Sequence, residues 1–347
     1  MDQQAPDKTR LRQVQTTDLT ESRLNDDFVY WLKKNGTNYL LVVLLAACAF
    51  LCGCKPASTP DSKTAKPAVV ATTTMIADMV RDVGGEDIAV TALMGPGVDP
   101  HLYKASAEDA LKLRQASVIF YNGLMLEGRM GELLDRLRGD GRAVYAVTGK
   151  IDHAELLQSD DGSNHPDPHV WGDAALWTRC IEVVVGGLSN ALPEKATAFA
   201  ERGTKLKADY TALHEWAKAE IGMLPAESRI LITSHDAFNY FGRAYGFQVV
   251  GVQGISTVSE AGLADVAKTV DFIKANKVKA IFVESSVPHA TIERIAKDSG
   301  AKIGGELYSD ALGTPGEKVE IDGQSYDCGT YPGMLRSNVS SVVRALK

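Results

Sequence analysis

The chain has 347 residues, 45% of them hydrophobic and 23% charged, which are ordinary globular values and leave enough length for two cores. Its formal net charge of -7, with no long Lys/Arg run, argues against a nucleic-acid partner and suits a protein that takes up a cation or a neutral ligand.

Residues 1–32 mix both charge signs without periodicity and should carry no fold. Lys33-Lys34 then precede an uncharged apolar stretch over 39–53 that reaches Cys54 and turns polar. A membrane-spanning helix needs about 20 apolar residues, so this shorter run reads as the hydrophobic region of an export signal, with a short membrane anchor as the other reading. Leu51-Cys52-Gly53-Cys54 resembles a lipobox, in which the cysteine is lipidated and becomes the new N-terminus, and Leu45-Ala46-Ala47-Cys48 fits the same pattern. Cleavage at Cys48 would leave apolar Ala49-Phe50-Leu51 on the mature chain, whereas polar sequence follows Cys54 at once. Cys54 is therefore the expected lipidation site and Cys48 the alternative; a conventional signal peptide is the remaining reading. Residues 1–54 are assigned to extension and signal, and 55–67, rich in Pro, Ser, Thr and Lys, to a solvated tether.

The folded body starts near Ala68. Strand candidates at 69–73, 88–93, 118–121 and 143–147 alternate with helical patterns at 75–84, 106–115 and 128–138, the second opened by the capping box Ser106-x-x-Asp109. Residues 193–224 read as one long polar helix whose weak point is Gly203, since Gly costs about 1 kcal/mol against Ala inside a helix; two helices broken there are the alternative. Strands at 230–233, 248–252, 280–283 and 302–307 then alternate with helices at 237–245, 260–275, 289–298 and 333–346. The alternation predicts an α/β fold of two doubly wound lobes, 68–192 and 225–347, joined by one backbone helix at 193–224.

Four distant segments carry metal-type ligands: His101, His169, His235 and Asp310, separated by 68, 66 and 75 residues. No local hairpin or finger can gather such positions; a folded two-lobed body can. His235 and Asp310 directly follow predicted strands, where open α/β sheets bind ligands. Three neutral imidazoles and a carboxylate supply four N/O donors suited to Zn²⁺ or Mn²⁺. Glu284, ending an apolar strand, either orients a ligand imidazole or is satisfied by backbone amides. His214 and His289 read as surface or capping residues, and His165 as solvated. Beyond the signal only Cys180 and Cys328 remain, outside any Cys-x-x-Cys unit; in an exported protein they either bridge or stay buried and reduced, the latter favoured by their placement in different halves.

Five motifs in order, Gly97-Val98-Asp99-Pro100-His101-Leu102-Tyr103, Asp167-Pro168-His169-Val170-Trp171, Thr233-Ser234-His235-Asp236-Ala237-Phe238 with Tyr240-Phe241, Val283-Glu284-Ser285-Ser286 and Leu307-Tyr308-Ser309-Asp310-Ala311-Leu312, give the chain a resemblance over 68–347 to a known family. It resembles the zinc- and manganese-binding substrate-binding proteins of ABC importers, cluster A-I. The resemblance implies His101, His169, His235 and Asp310 as the ligands of a metal buried between two lobes on a rigid helix, with limited lobe movement. It implies a monomeric, lipid-anchored receptor of the periplasm or cell surface that is not an enzyme. Zinc or manganese would be its cargo, delivered to an ABC permease whose ATPase is a separate subunit, and no Gly-x-x-x-x-Gly-Lys-[Ser/Thr] loop occurs in this chain. His at the third ligand position tilts the metal toward zinc. The segment 150–168, with only His153 and His165, lacks the His-rich loop of zinc-specialised relatives and keeps manganese open. Two other classes compete. In a metal-dependent hydrolase a coordination position must stay open for water, which four protein ligands close. In a surface adhesin lipoprotein the metal would only rigidify the fold.

Overall fold

The computed structural model describes residues 66–159 and 165–347, together with Tyr30. The export signal, with Cys48 and Cys54, and most of the expected tether lie outside the described residues. In the first lobe, β1 (Ala68–Ala71), β2 (Ala89–Ala92), β3 (Val118–Tyr121) and β4 (Val144–Ala146) form one parallel sheet in the order β2-β1-β3-β4. The crossovers are α1 (Thr74–Gly84), α2 (Ala107–Gln115) and α3 (Met130–Gly139). Side chains alternate across the central strands. Val69, Ala71, Val118 and Phe120 face α1 and the later helices, while Val70, Ile119 and Tyr121 face Leu113 of α2 and Leu134 of α3. Both faces are thus covered by helices, which explains why β1 and β3 read as continuous apolar runs. The Ser106–Asp109 capping box opens α2 as its sequence predicts.

A helix that the sequence reading did not assign, α4 (Ala174–Ala191), follows, with Asp173 capping the amides of Ala175 and Leu176. A single 3-10 turn, Pro193–Lys195, leads into α5 (Ala196–Gly222), the long connecting helix. It runs unbroken through Gly203. A Cβ built on Gly203 would lie 2.5 Å from Val185 Cγ2, so the missing side chain lets α5 sit close against α4.

The second lobe contains two parallel strand pairs, β5 (Ile230–Thr233) with β6 (Gln248–Gly251) and β7 (Ala280–Glu284) with β8 (Lys302–Leu307); β7 lies beside β5. Its helices are α6 (Asn239–Tyr245), α7 (Leu263–Asn276), α8 (Ala290–Ser299) and α9 (Tyr331–Leu346). A hairpin of β9 (Lys318–Ile321) and β10 (Gln324–Asp327) turns at Asp322-Gly323, where both residues have positive φ (49° and 77°). Asp-Gly between alternating strands is the signature of that turn. Ile232, Ile281 and Val283 form an outer core with α7 and α8. The opposite faces of these strands join a core shared with the first lobe and α5, containing Phe120, Trp177, Tyr210, Phe282 and Tyr331. Among the described residues no helix is long and apolar enough to cross a membrane.

Candidate metal centre

His101, His235 and Asp310 lie beyond the carboxyl ends of β2, β5 and β8, and His169 lies on the segment that leads from β4 into α4. His101 sits on the loop after β2, in the turn Asp99-Pro100-His101, and Asp99 Oδ1 accepts its backbone N–H at 2.8 Å. The same tripeptide recurs at Asp167-Pro168-His169, where Asp167 Oδ1 accepts the His169 backbone N–H at 2.9 Å. The His169 ring Nδ1 also donates to that oxygen, at 2.8 Å. His235 follows β5 by two residues; its backbone N–H donates to Glu284 Oε1 at 2.8 Å and its Nδ1 to Glu284 Oε2 at 2.5 Å. Glu284 therefore does both things read from the sequence, accepting an amide and fixing a ring. A proton held on Nδ1 by a carboxylate leaves the Nε2 lone pair free to face the site. Asp310 lies three residues beyond the end of β8, with its neighbour's carbonyl, Ser309 O, accepting from Trp171 Nε1 at 2.7 Å.

The structure brings His101, His169, His235 and Asp310 together, with one potential donor atom from each lying within 4.8 Å of all the others. His101 Nε2 and His169 Nε2 are 3.2 Å apart, His169 Nε2 is 3.5 Å from Asp310 Oδ1, and His235 Nε2 is 3.2 Å from Asp310 Oδ2. A tetrahedron of donors around a metal at 2.0–2.1 Å has edges of about 3.4 Å, so these separations suit one cation in the middle. Both Asp310 oxygens and His235 Nε2 are buried without an aligned hydrogen-bond partner. Buried polar atoms are nearly always satisfied, and a cation would satisfy all three.

The electrostatics point the same way. Burial pushes the His101 imidazole down to about 3, so it stays neutral and able to donate its lone pair. Burial would raise Asp310, but His235, His169 and His101 outweigh it and hold the carboxyl well below its ordinary value. Burial also works against a charge on His235, yet Glu284 and Asp310 outweigh it and hold that imidazole well above the usual histidine range. The negative charge that favours a proton there also favours a divalent cation.

Asp99 and Asp167 carry roles that the sequence reading did not assign, although the repeated Asp-Pro-His tripeptide was the signal for them. The other histidines lie elsewhere: His165 is exposed, His214 on α5 sits 3.4 Å from Asp173 Oδ1, and His289 Nε2 donates to Glu284 O at 3.0 Å. Cys180 and Cys328 are both free and buried.

The family described as zinc-uptake complex component A, periplasmic, matches residues 69–345. The manganese-binding lipoprotein MntA of Bacillus subtilis (strain 168) is 42% identical over 313 residues, covering 89% of this chain and 99% of the relative. The zinc-binding protein TroA of Treponema pallidum (strain Nichols) is 43% identical over 286 residues, covering 81% of this chain and 89% of the relative. A solved structure described as the periplasmic zinc-binding protein TroA from Treponema pallidum superposes with a TM-score of 0.76 at 42% identity, covering 81% of this chain and 99% of that one. The metal ABC transporter substrate-binding lipoprotein SsaB of Streptococcus sanguinis is 28% identical over 321 residues, 91% of this chain and 99% of the relative. With the family matched over nearly all of the folded body, the chain belongs to the periplasmic zinc-uptake component A family of two-lobed metal-binding proteins.

Proposed function

We propose that this protein is the extracytoplasmic substrate-binding component of an ABC importer, which captures zinc or manganese and delivers it to a membrane permease driven by a separate ATPase subunit. His101 and His169 from the first lobe and His235 and Asp310 from the second are its ligands. The observation that carries the reading is the convergence of these four donors, buried but for the half-buried His101, three of whose atoms have no aligned partner of their own. Four protein donors fill a tetrahedral shell and leave no position for a reacting water, which favours a carrier over a hydrolase. A lipid anchor at Cys54 would keep the carrier beside its permease.

Zinc and manganese stay paired in this reading, because MntA, named for manganese, and TroA, named for zinc, are 42% and 43% identical to this chain. Test-tube affinity does not separate them either, since nearly any such donor set holds zinc more tightly than manganese. The deciding experiment is metal analysis of the mature protein from its native host, with uptake of labelled zinc and manganese in a deletion strain. Normal uptake of both metals in that strain would sink the transport role.

A further inference from the structure

The two sides of the cleft are held together unequally. At its base, hydrogen bonds cross between the lobes in number: Trp171 Nε1 donates to Ser309 O, Leu312 N to Thr74 Oγ1, Tyr240 OH to Asp167 O and Tyr331 N to Asp78 Oδ2. On the His101 side, among the described residues, one hydrogen bond ties the 95–105 loop to the second lobe: Thr257 Oγ1 donates to Asp99 Oδ2 at 2.5 Å. The other oxygen of the same carboxylate accepts the His101 amide. Thr257 stands on the loop between β6 and α7, and that loop is in turn fastened to the His235 segment. Gln253 N donates to Ser234 O at 2.9 Å and Asp236 N to Gly254 O at 3.3 Å, on either side of the ligand. A continuous bridge thus runs from His101 through Asp99, Thr257 and the 253–257 loop to His235, closing a ring around the metal position from the outside.

We infer that Asp99 and Thr257 form a latch that sets how long the cargo is retained, by holding the His101 loop of one lobe against the His235 loop of the other. The inference rests on the metal-binding reading of the site. Both are positioning residues, acting through His101 and His235. With the base fastened by many bonds, the His101 side is the exit, and the latch must part before His101 can swing away. Gly97, at φ 69°, lets the loop lie against the second lobe beside the carbonyl of Ser285, where a Cβ would come within 3.4 Å.

The test is chelator-driven release of zinc from the metal-loaded full chain, compared with Thr257→Val and Thr257→Ser. Thr257→Val keeps the shape and deletes the donor. Its release should be about ten-fold faster, the scale of one lost hydrogen bond to a charged acceptor, while Thr257→Ser releases near the parental rate. The metal-free forms of all three should melt together, which a merely structural role for Thr257 would not allow. Parental release from Thr257→Val, or equally fast release from Thr257→Ser, overturns the latch while leaving metal binding in place. A parent chain that binds no zinc at all overturns the site and the latch with it.

Discussion

Glu284 spends both carboxylate oxygens on one histidine, and that makes it the most informative single residue outside the four proposed ligands. Glu284→Gln keeps an acceptor for the His235 amide but removes the charge that fixes the ring. Losing such a partner typically costs 10–100-fold in metal affinity, so isothermal titration of Glu284→Gln should show a loss of about that size. His235→Ala and Asp310→Ala should each lose far more, with the circular dichroism of the fold retained. Parental affinity in either alanine variant would remove that residue from the ligand set. The four proposed ligands were legible in the sequence because each sits in a short local motif, His235 and Asp310 just after strands and His101 and His169 on the loops of the first lobe. Their carboxylate partners were less so, because a motif does not say which oxygen meets which nitrogen. Asp167 fixes its own neighbour's ring, whereas Asp99, in the same tripeptide, turns its second oxygen to the opposite lobe.

At the scale of elements, α5 shows how packing decides what propensity leaves open. Gly203 marks the weakest point of a polar helix, yet the helix passes through it because α4 needs that space. Gly203→Ala should therefore destabilise the protein by about 1 kcal/mol despite its better helix propensity, through overpacking against Val185. Gly203→Ala combined with Val185→Ala should recover most of the loss in urea unfolding; a stabilised Gly203→Ala would mean that Val185 simply rotates away. The contact of α1 with α9 yields a pH prediction. Burial raises Asp78 to about 7, while its oxygen accepts the Tyr331 amide at the start of α9. The unfolded chain releases this proton near 3.8 and the native one near 7, so the native state binds it more tightly and stability falls as pH rises across that window. Asp78→Asn keeps the acceptor and abolishes the titration. Relative to the parent it should gain roughly 3–4 kcal/mol between pH 4 and pH 8 in metal-free unfolding experiments. A constant gap between the two proteins would exonerate Asp78. The strand–helix alternation was legible nearly throughout, because the central strands of both lobes, such as β1, β3, β5 and β7, are short apolar runs. The β9–β10 hairpin and α4 were not assigned: the hairpin's strands are half-exposed and polar, and α4 is apolar on more than one face because it is packed between the sheet and α5.

For the whole molecule, the governing fact is that the central core does not stop at the lobe boundary. Phe120 and Val69 of the first lobe's sheet, Phe282 of β7, Leu307 of β8 and Tyr210 of α5 belong to one contiguous apolar cluster. Swinging the lobes widely apart would expose that surface and break the buried bonds from Trp171 to Ser309 and from Thr74 to Leu312. Motion on binding should therefore be confined to the cleft margin, and solution scattering from metal-loaded and chelator-treated protein should be nearly superimposable. The same continuity dictates how the metal stabilises the fold. A ligand that binds only the native state adds about 2.7 kcal/mol at a free concentration 100 times its Kd. Because the donors come from both lobes, that increment must act on both at once. Calorimetry should show one transition without metal and one transition at higher temperature with it, rising further as free zinc is increased, and His235→Ala should abolish the shift. Two resolved transitions, with only one of them moved by zinc, would mean that a single lobe holds the ion and that the shared site is wrong.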